Sequence, residues 1–190
     1  GDIKYKDINA DGVVNSLDYT IIGDPNPVHI GGFSNNFTYK NFDLNVFFQW
    51  SYGNDILNAN RYEFEGQTSR VQLNMFASYV DRWSLDNQSS KNHVVKGGGT
   101  NVYSSRVIED GSYLRLKTVA LGYSLPTKWL SKAHLKALRL YASGQNLITW
   151  TNYSGLDPEV STRPGALRPG FDFSPYPKAR TITFGLNSKF

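Results

Sequence analysis

Cysteine is absent from the 190-residue chain, so it has no disulfide framework, thiolate zinc site or cysteine nucleophile. Long apolar runs are missing too. No segment approaches the ~20 residues a membrane helix needs, and no charged region followed by an apolar signal core opens the chain. Histidine is scarce, with His29, His93 and His134 far apart. Without a Ser/His/Asp constellation or an H-E-x-x-H motif, the reading is that this is not an enzyme. Gly97-Gly98-Gly99 lacks the Lys-Ser/Thr of a phosphate loop and reads as a flexible loop tip. The net charge of +4 is mild. Lys and Arg are scattered with no ~5–8-residue basic run, so nucleic acid is not an expected partner.

Large rings, by contrast, are plentiful. Tyr (12), Phe (11) and Trp (4) make up 14% of the residues, yet the mean hydropathy is −0.43. Rings in a chain that is polar on average suit a sheet with one face to lipid and the other to water. A Tyr- and Phe-rich soluble sandwich has the same composition, so the order of residues must decide.

Phe42–Tyr52 alternates, with Phe42, Leu44, Val46, Phe48, Trp50 and Tyr52 on one face. His29–Tyr39 places Phe33, Phe37 and Tyr39 together, and only Lys40 and Asn41 separate these two strands, as in a tight hairpin. Ser112–Leu125 changes phase between Leu116 and Val119, which predicts a bulge near Lys117 and Thr118. Leu138–Trp150 is a fourth strand. Arg180–Phe190, with Ile182, Phe184, Leu186, Ser188 and Phe190 in phase, is a fifth. Within the polar stretch between the second and third strands, Arg70–Trp83 has the spacing of a short amphipathic helix.

The connections alternate long, short, long, short, long. Outer-membrane barrels have long outer loops and short periplasmic turns, a sorting a sandwich has no reason to adopt. The expected fold is therefore all-β, the last five or so antiparallel strands of a transmembrane barrel. Residues 1–28 form an outer loop, the strands lie near 29–39, 42–52, 112–125, 138–150 and 180–190, and the long outer loops are 53–110 and 151–179.

One motif carries its own chemistry. Asp7, Asn9, Asp11, Gly12, Val13, Asn15 and Asp18 match the calcium-loop template D-x-N-x-D-G with an acidic twelfth position. Side-chain oxygens of Asp7, Asn9 and Asp11, the Val13 carbonyl, Asn15 directly or through water, and Asp18 are the expected ligands of a structural Ca2+. Asp in place of the usual Glu at that last position resembles dockerin loops. An Asx-rich turn bonding its own backbone uses the same residues without a metal. Loop aromatics Tyr62, Phe64, Trp83, Tyr103, Tyr153, Phe171, Phe173 and Tyr176 are expected mostly to form small loop cores, and no substrate-binding residue is assigned.

Several segments together resemble the SusC/RagA-like family of TonB-dependent transporters from Bacteroidota. They are GDIKYKDINADG (Gly1–Gly12), TIIGDPNP (Thr20–Pro27), FDLNVFFQWSYGNDI (Phe42–Ile56), YLRLKTVALGYSLP (Tyr113–Pro126), SGQNLITWTNYSGLDPEV (Ser143–Val160) and YPKARTITFGLNSKF (Tyr176–Phe190). The resemblance implies an upstream plug domain and TonB box, a barrel of about 22 strands, and residence in the outer membrane of a Gram-negative bacterium. It also implies import of glycans or peptides beneath a SusD-like surface lipoprotein that acts as a lid, driven through TonB. Phe190, with Phe184 and Leu186 on its face, would then form the β-signal read by the outer-membrane assembly machinery. The alternative from another class is a secreted, calcium-stabilised β-sandwich that binds carbohydrate. In it Leu44, Val46, Phe48, Phe184 and Leu186 would be buried against a second sheet.

Overall fold

A computed structural model of the chain describes residues 1–65, 74–94, 102–131, 135–160 and 169–190. Its strands are β1 (His29–Tyr39), β2 (Phe42–Tyr52), β3 (Asp55–Asn58), β4 (Ile108–Asp110), β5 (Tyr113–Ser124), β6 (Ala137–Thr151), β7 (Phe171–Asp172) and β8 (Thr181–Lys189). Two short helices, α1 (Ala59–Phe64) and α2 (Thr127–Leu130), accompany them. The chain divides into two compact units.

The first unit comprises Pro27–Asn54, Gly111–Pro158 and Tyr176–Phe190. It is a five-stranded sheet in the order β1-β2-β5-β6-β8, with every neighbouring pair antiparallel. Tyr39 pairs with Phe42, so Lys40 and Asn41 alone make the hairpin, with Lys40 in the left-handed region at φ 52°. The bulge lies where the phase change places it. Leu116 pairs with Ile148 and Thr118 with Gln145, which leaves Lys117 extra in β5 and Asn146 and Leu147 extra in β6. Asn146 takes φ 52°, a conformation Asn tolerates better than most residues. The pairing of β8 with β6 begins at Thr181 opposite Gln145, just short of that irregularity, and runs to Lys189. Arg180 and Phe190, expected within the strand, therefore fall outside it. The other expected ends, 112–125 and 138–150, become Tyr113–Ser124 and Ala137–Thr151.

The second unit comprises Gly1–Asn26, Asp55–Asp110 and Glu159–Pro175. Here β3 pairs antiparallel with β4 and parallel with β7, and Ile56, Ala59 and Val107 are buried. Strands of two to four residues carry too little alternation to be read in advance. Ion pairs tie the segments together: Arg61 to Glu65 and to Glu109, each at 3.2 Å, and Arg106 to Glu65 at 2.8 Å. Of the expected helix at 70–83, residues 70–73 lie outside the described residues. The rest contains a 3-10 helix, Ala77–Asp81, with Tyr79 buried and Val80 exposed, so one turn packs where a longer amphipathic face was expected.

Candidate functional site

Pairing in the five-stranded sheet sorts its side chains onto two chemically different faces. Phe48 lies opposite Phe33 and Leu116, Val46 opposite Val119, and Leu44 opposite Phe37 and Leu121. Leu121 leads on to Ala142 and Phe184, and Leu140 to Leu186. This apolar row is open, with Phe184 79% and Leu186 65% exposed. That is the disposition expected of a lipid-facing wall; in the sandwich alternative these side chains are buried.

Rings close both ends of the band. Phe42 and Tyr123 pack at 4.6 Å near the hairpin. At the other end His29 stacks on Tyr52 at 5.2 Å, and Trp50 Nε1 donates to His29 Nδ1 at 3.2 Å. Amphipathic rings suit the two membrane interfaces. Strands of 11 residues, at ~3.3 Å per residue and tilted ~45°, rise about 25 Å, the height of such a band.

The opposite face is polar: Asp43, Asn45, Gln49 and Ser51 on β2, Arg115, Thr118 and Ser124 on β5, Arg139, Ser143 and Thr149 on β6, and Thr181, Thr183 and Asn187 on β8. Two ion pairs organise it. Arg139 grips Asp43 with both Nε (3.0 Å) and Nη2, crossing over Gly122, where a Cβ would collide with both partners. Glycine is the residue that leaves this path open. Arg115 Nη2 meets Asp157 Oδ1 at 2.6 Å, with the arginine side chain 2% exposed. The Lys178 amide also donates to Asp157, at 3.3 Å. Neither pair was identified from sequence. The available signal was an arginine or aspartate at the water-facing phase of an alternating strand, which marks the charge without its partner.

The acidic loop is held by its own side chains. Asp7 Oδ2 accepts from Gly12 N (2.8 Å), Asn9 Oδ1 from Asp11 N (3.0 Å) and Asp11 Oδ1 from Val13 N (2.8 Å). Asn15 and Asp18 cap Ser16–Asp18 reciprocally in a capping box, and Asn15 Nδ2 donates to Val13 O at 3.2 Å. Asp18 also accepts from Ile8 N at 2.7 Å. Gly12 at φ 84° makes the turn. Among the described residues no three His, Asp or Glu side chains converge as a metal cluster, whereas Asp7 Oδ1 is buried without a hydrogen bond. The loop thus has the bonding of an Asx-rich turn, with one carboxylate oxygen unused.

The amides of Asn15 and Ile8 are the main reason the Asp18 carboxyl is held below its ordinary value, against a smaller opposing effect of burial. A depressed folded pKa means that this contribution is complete above the unfolded value of about 3.9 and is lost as pH falls through the folded value. Protease sensitivity of residues 1–26 is accordingly expected to stay constant from neutral pH down to about pH 4 and to rise only below it. Asp18→Ala should show the raised sensitivity already at pH 7. Equal digestion of both proteins at pH 7 would remove Asp18 from this role.

Loop aromatics mostly pack on each other: Tyr62 on Tyr103 at 4.9 Å, Phe64 on Phe76 at 5.4 Å, and Tyr103 edge-on to Phe171 at 6.4 Å. Tyr153 is buried, while Tyr176 is 94% exposed. Of the expected assembly residues, Phe184 and Leu186 lie in the apolar row, and Phe190 is exposed beyond the end of β8.

No family model matches the chain. Curated relatives do. It is 40% identical over 191 residues to TonB-dependent receptor P3 of Formosa agariphila, covering 98% of this chain and 19% of the relative. It is 30% identical over 189 residues to TonB-dependent receptor SusC of Bacteroides thetaiotaomicron, covering 98% and 17%. Among solved structures, the RagAB peptide transporter superposes with a TM-score of 0.77 at 25% identity, over 95% of this chain and 20% of that one. The RagAB peptide importer in its open-open state gives 0.75 at 28% identity, over 95% and 20%. The chain therefore spans about a fifth of the length of these relatives. Sequence likeness over nearly every residue and a two-faced antiparallel sheet agree: the chain belongs to the SusC/RagA-like family of TonB-dependent transporters and forms part of the barrel.

Proposed function

We propose that the full-length protein is an outer-membrane importer of a Gram-negative bacterium that takes up glycan or peptide fragments without chemically altering them. In this reading a SusD-like lipoprotein closes over the barrel and TonB supplies the energy. The five strands form part of the wall, and the long connections lie outside the cell. The observation that supports it is the pairing of an open apolar face, bounded by rings, with a charged opposite face. Uptake of labelled oligosaccharide and peptide mixtures by wild-type and deletion strains, with and without a protonophore, tests it. Uptake should need both the gene and the proton-motive force. A deletion strain that takes up every mixture as the wild type does would sink the reading.

Two finer roles go with it. Phe190 serves in assembly: its deletion from the full-length protein is expected to cut surface abundance, read by surface labelling, more than it alters substrate affinity. Normal abundance would count against this. The loop Asp7–Asp18 is proposed to bind a structural Ca2+, in which case the unused Asp7 Oδ1 would become a ligand and the self-bonded side chains would turn toward the ion. Calorimetry with calcium is expected to show one site that Asp7→Ala abolishes, and calcium should also slow proteolysis of residues 1–26. No heat and no protection would leave the loop as a turn.

A further inference from the structure

We infer that the hairpin edge of the five-stranded sheet binds the headgroup of an anionic phospholipid from the adjoining membrane leaflet, through Lys40, Lys128 and Lys136. The inference rests on the reading above, in which the long connections lie outside the cell. The short ones, Lys40–Asn41 and 125–136, then face the periplasm.

The sequence loads this edge with one sign of charge. The two short connections hold Lys40, Lys128, Lys132 and Lys136 and no Asp or Glu. Backbone hydrogen bonds fix both connections to the strand ends. Ser124 N donates to Asn41 O at 2.8 Å, Leu125 N to Leu138 O at 2.9 Å and Lys136 N to Lys189 O at 2.7 Å. Lys40, Lys128 and Lys136 are exposed, and none of the three forms an ion pair among the described residues.

The cations stand at the border of the apolar face. Phe42 lies opposite Tyr39 on one side and Tyr123 on the other, and the Lys40 ammonium is 5.3 Å from the centroid of the Tyr39 ring. Such rings mark the membrane interface, so a lysine just beyond them is level with lipid phosphates. The α2 turn repeats the arrangement. It buries Leu130, 3% exposed, and presents the Trp129 indole, 64% exposed, beside Lys128. An indole suits the boundary between hydrocarbon and water.

Between α2 and the ends of β6 and β8 lies a cleft of about 270 Å³, whose lining includes Leu125, Leu130, Leu138, Lys136, Ser188 and Lys189. Leu138 pairs with Ser188 in the lipid-facing phase, so the cleft reaches the apolar row. Leucines beside ammonium groups and a hydroxyl match a molecule with a phosphate head on an apolar body. The phosphodiester accepts charge-assisted hydrogen bonds, and the first methylenes of the acyl chains cover the leucines. Inorganic phosphate or an acidic periplasmic protein would use the lysines and leave the apolar lining wet.

Trp129 supplies a local reporter for the test. The full-length protein, purified from the outer membrane, is placed in phosphatidylcholine vesicles with brominated phosphatidylglycerol or brominated phosphatidylcholine as quencher. Quenching that disappears in Trp129→Phe belongs to Trp129. Half-quenching is expected at about a tenfold lower mole fraction of the anionic lipid than of the zwitterionic one, with the gap narrowing near ~0.5 M NaCl. Lys128→Gln/Lys136→Gln should cut the preference to about twofold, Lys40→Gln in addition should remove the rest, and Lys128→Arg/Lys136→Arg should keep it. Equal quenching of the wild type by both lipids, an unchanged preference in the triple glutamine variant, or reversal by excess inorganic phosphate overturns the inference. Failure of the underlying reading is seen separately. In intact cells Ser131→Cys should resist a membrane-impermeant maleimide; labelling there puts the connection outside and sinks that reading, whereas protection without a lipid preference sinks the inference alone.

Discussion

Val119→Arg is expected to destabilise the folded barrel by roughly 2–4 kcal/mol, while Thr183→Arg changes it by less than about 1 kcal/mol. Val119 pairs with Val46 and Gly144 midway along the apolar face, where a guanidinium has only lipid around it. Thr183, opposite Ser143, belongs to the water-facing row, where the same side chain keeps its hydration. Urea titration of the full-length protein refolded into lipid vesicles measures both. A similar loss for the two variants would mean that the faces are assigned wrongly.

Asp157→Ala is expected to cost about 3–5 kcal/mol, because it leaves the Arg115 guanidinium buried without its carboxylate. Removing both charges with an apolar pair, Arg115→Met with Asp157→Leu, should recover much of that loss, since neither half of the pair then remains to be desolvated. A double-mutant cycle on the same vesicle refolding assay separates the interaction from the truncations. If Asp157→Ala costs no more than an exposed pair does, under about 1 kcal/mol, the pair is not what holds residues 152–158 and 176–180 to the sheet.

These two expectations differ in how early they were visible. The apolar face was legible because a strand alternates with period 2: once Phe42–Tyr52 is in register, Leu44, Val46 and Phe48 must share a side. The two-residue hairpin followed from the distance between two alternating segments. The bulge at Lys117 followed from a local change of phase between Leu116 and Val119. Each of these is a property of neighbours along the chain.

Other features depend on partners far apart in sequence. Arg139 reaches Asp43 across 96 positions, and only because Gly122 lies between them without a side chain. Arg115 meets Asp157 across 42 positions, from a segment with no periodicity at all. Strands β3, β4 and β7 are too short to show a pattern and form by pairing with one another. In the acidic loop the residue types and spacing were evident. The tertiary structure decided which oxygens bond the backbone and which one, Asp7 Oδ1, does not. The sequence by itself thus determined which face of each strand meets lipid, because alternation is local. Where the buried charges find their partners was decided only by the tertiary structure, because pairing a charge depends on which distant segments the sheet brings within a few ångströms.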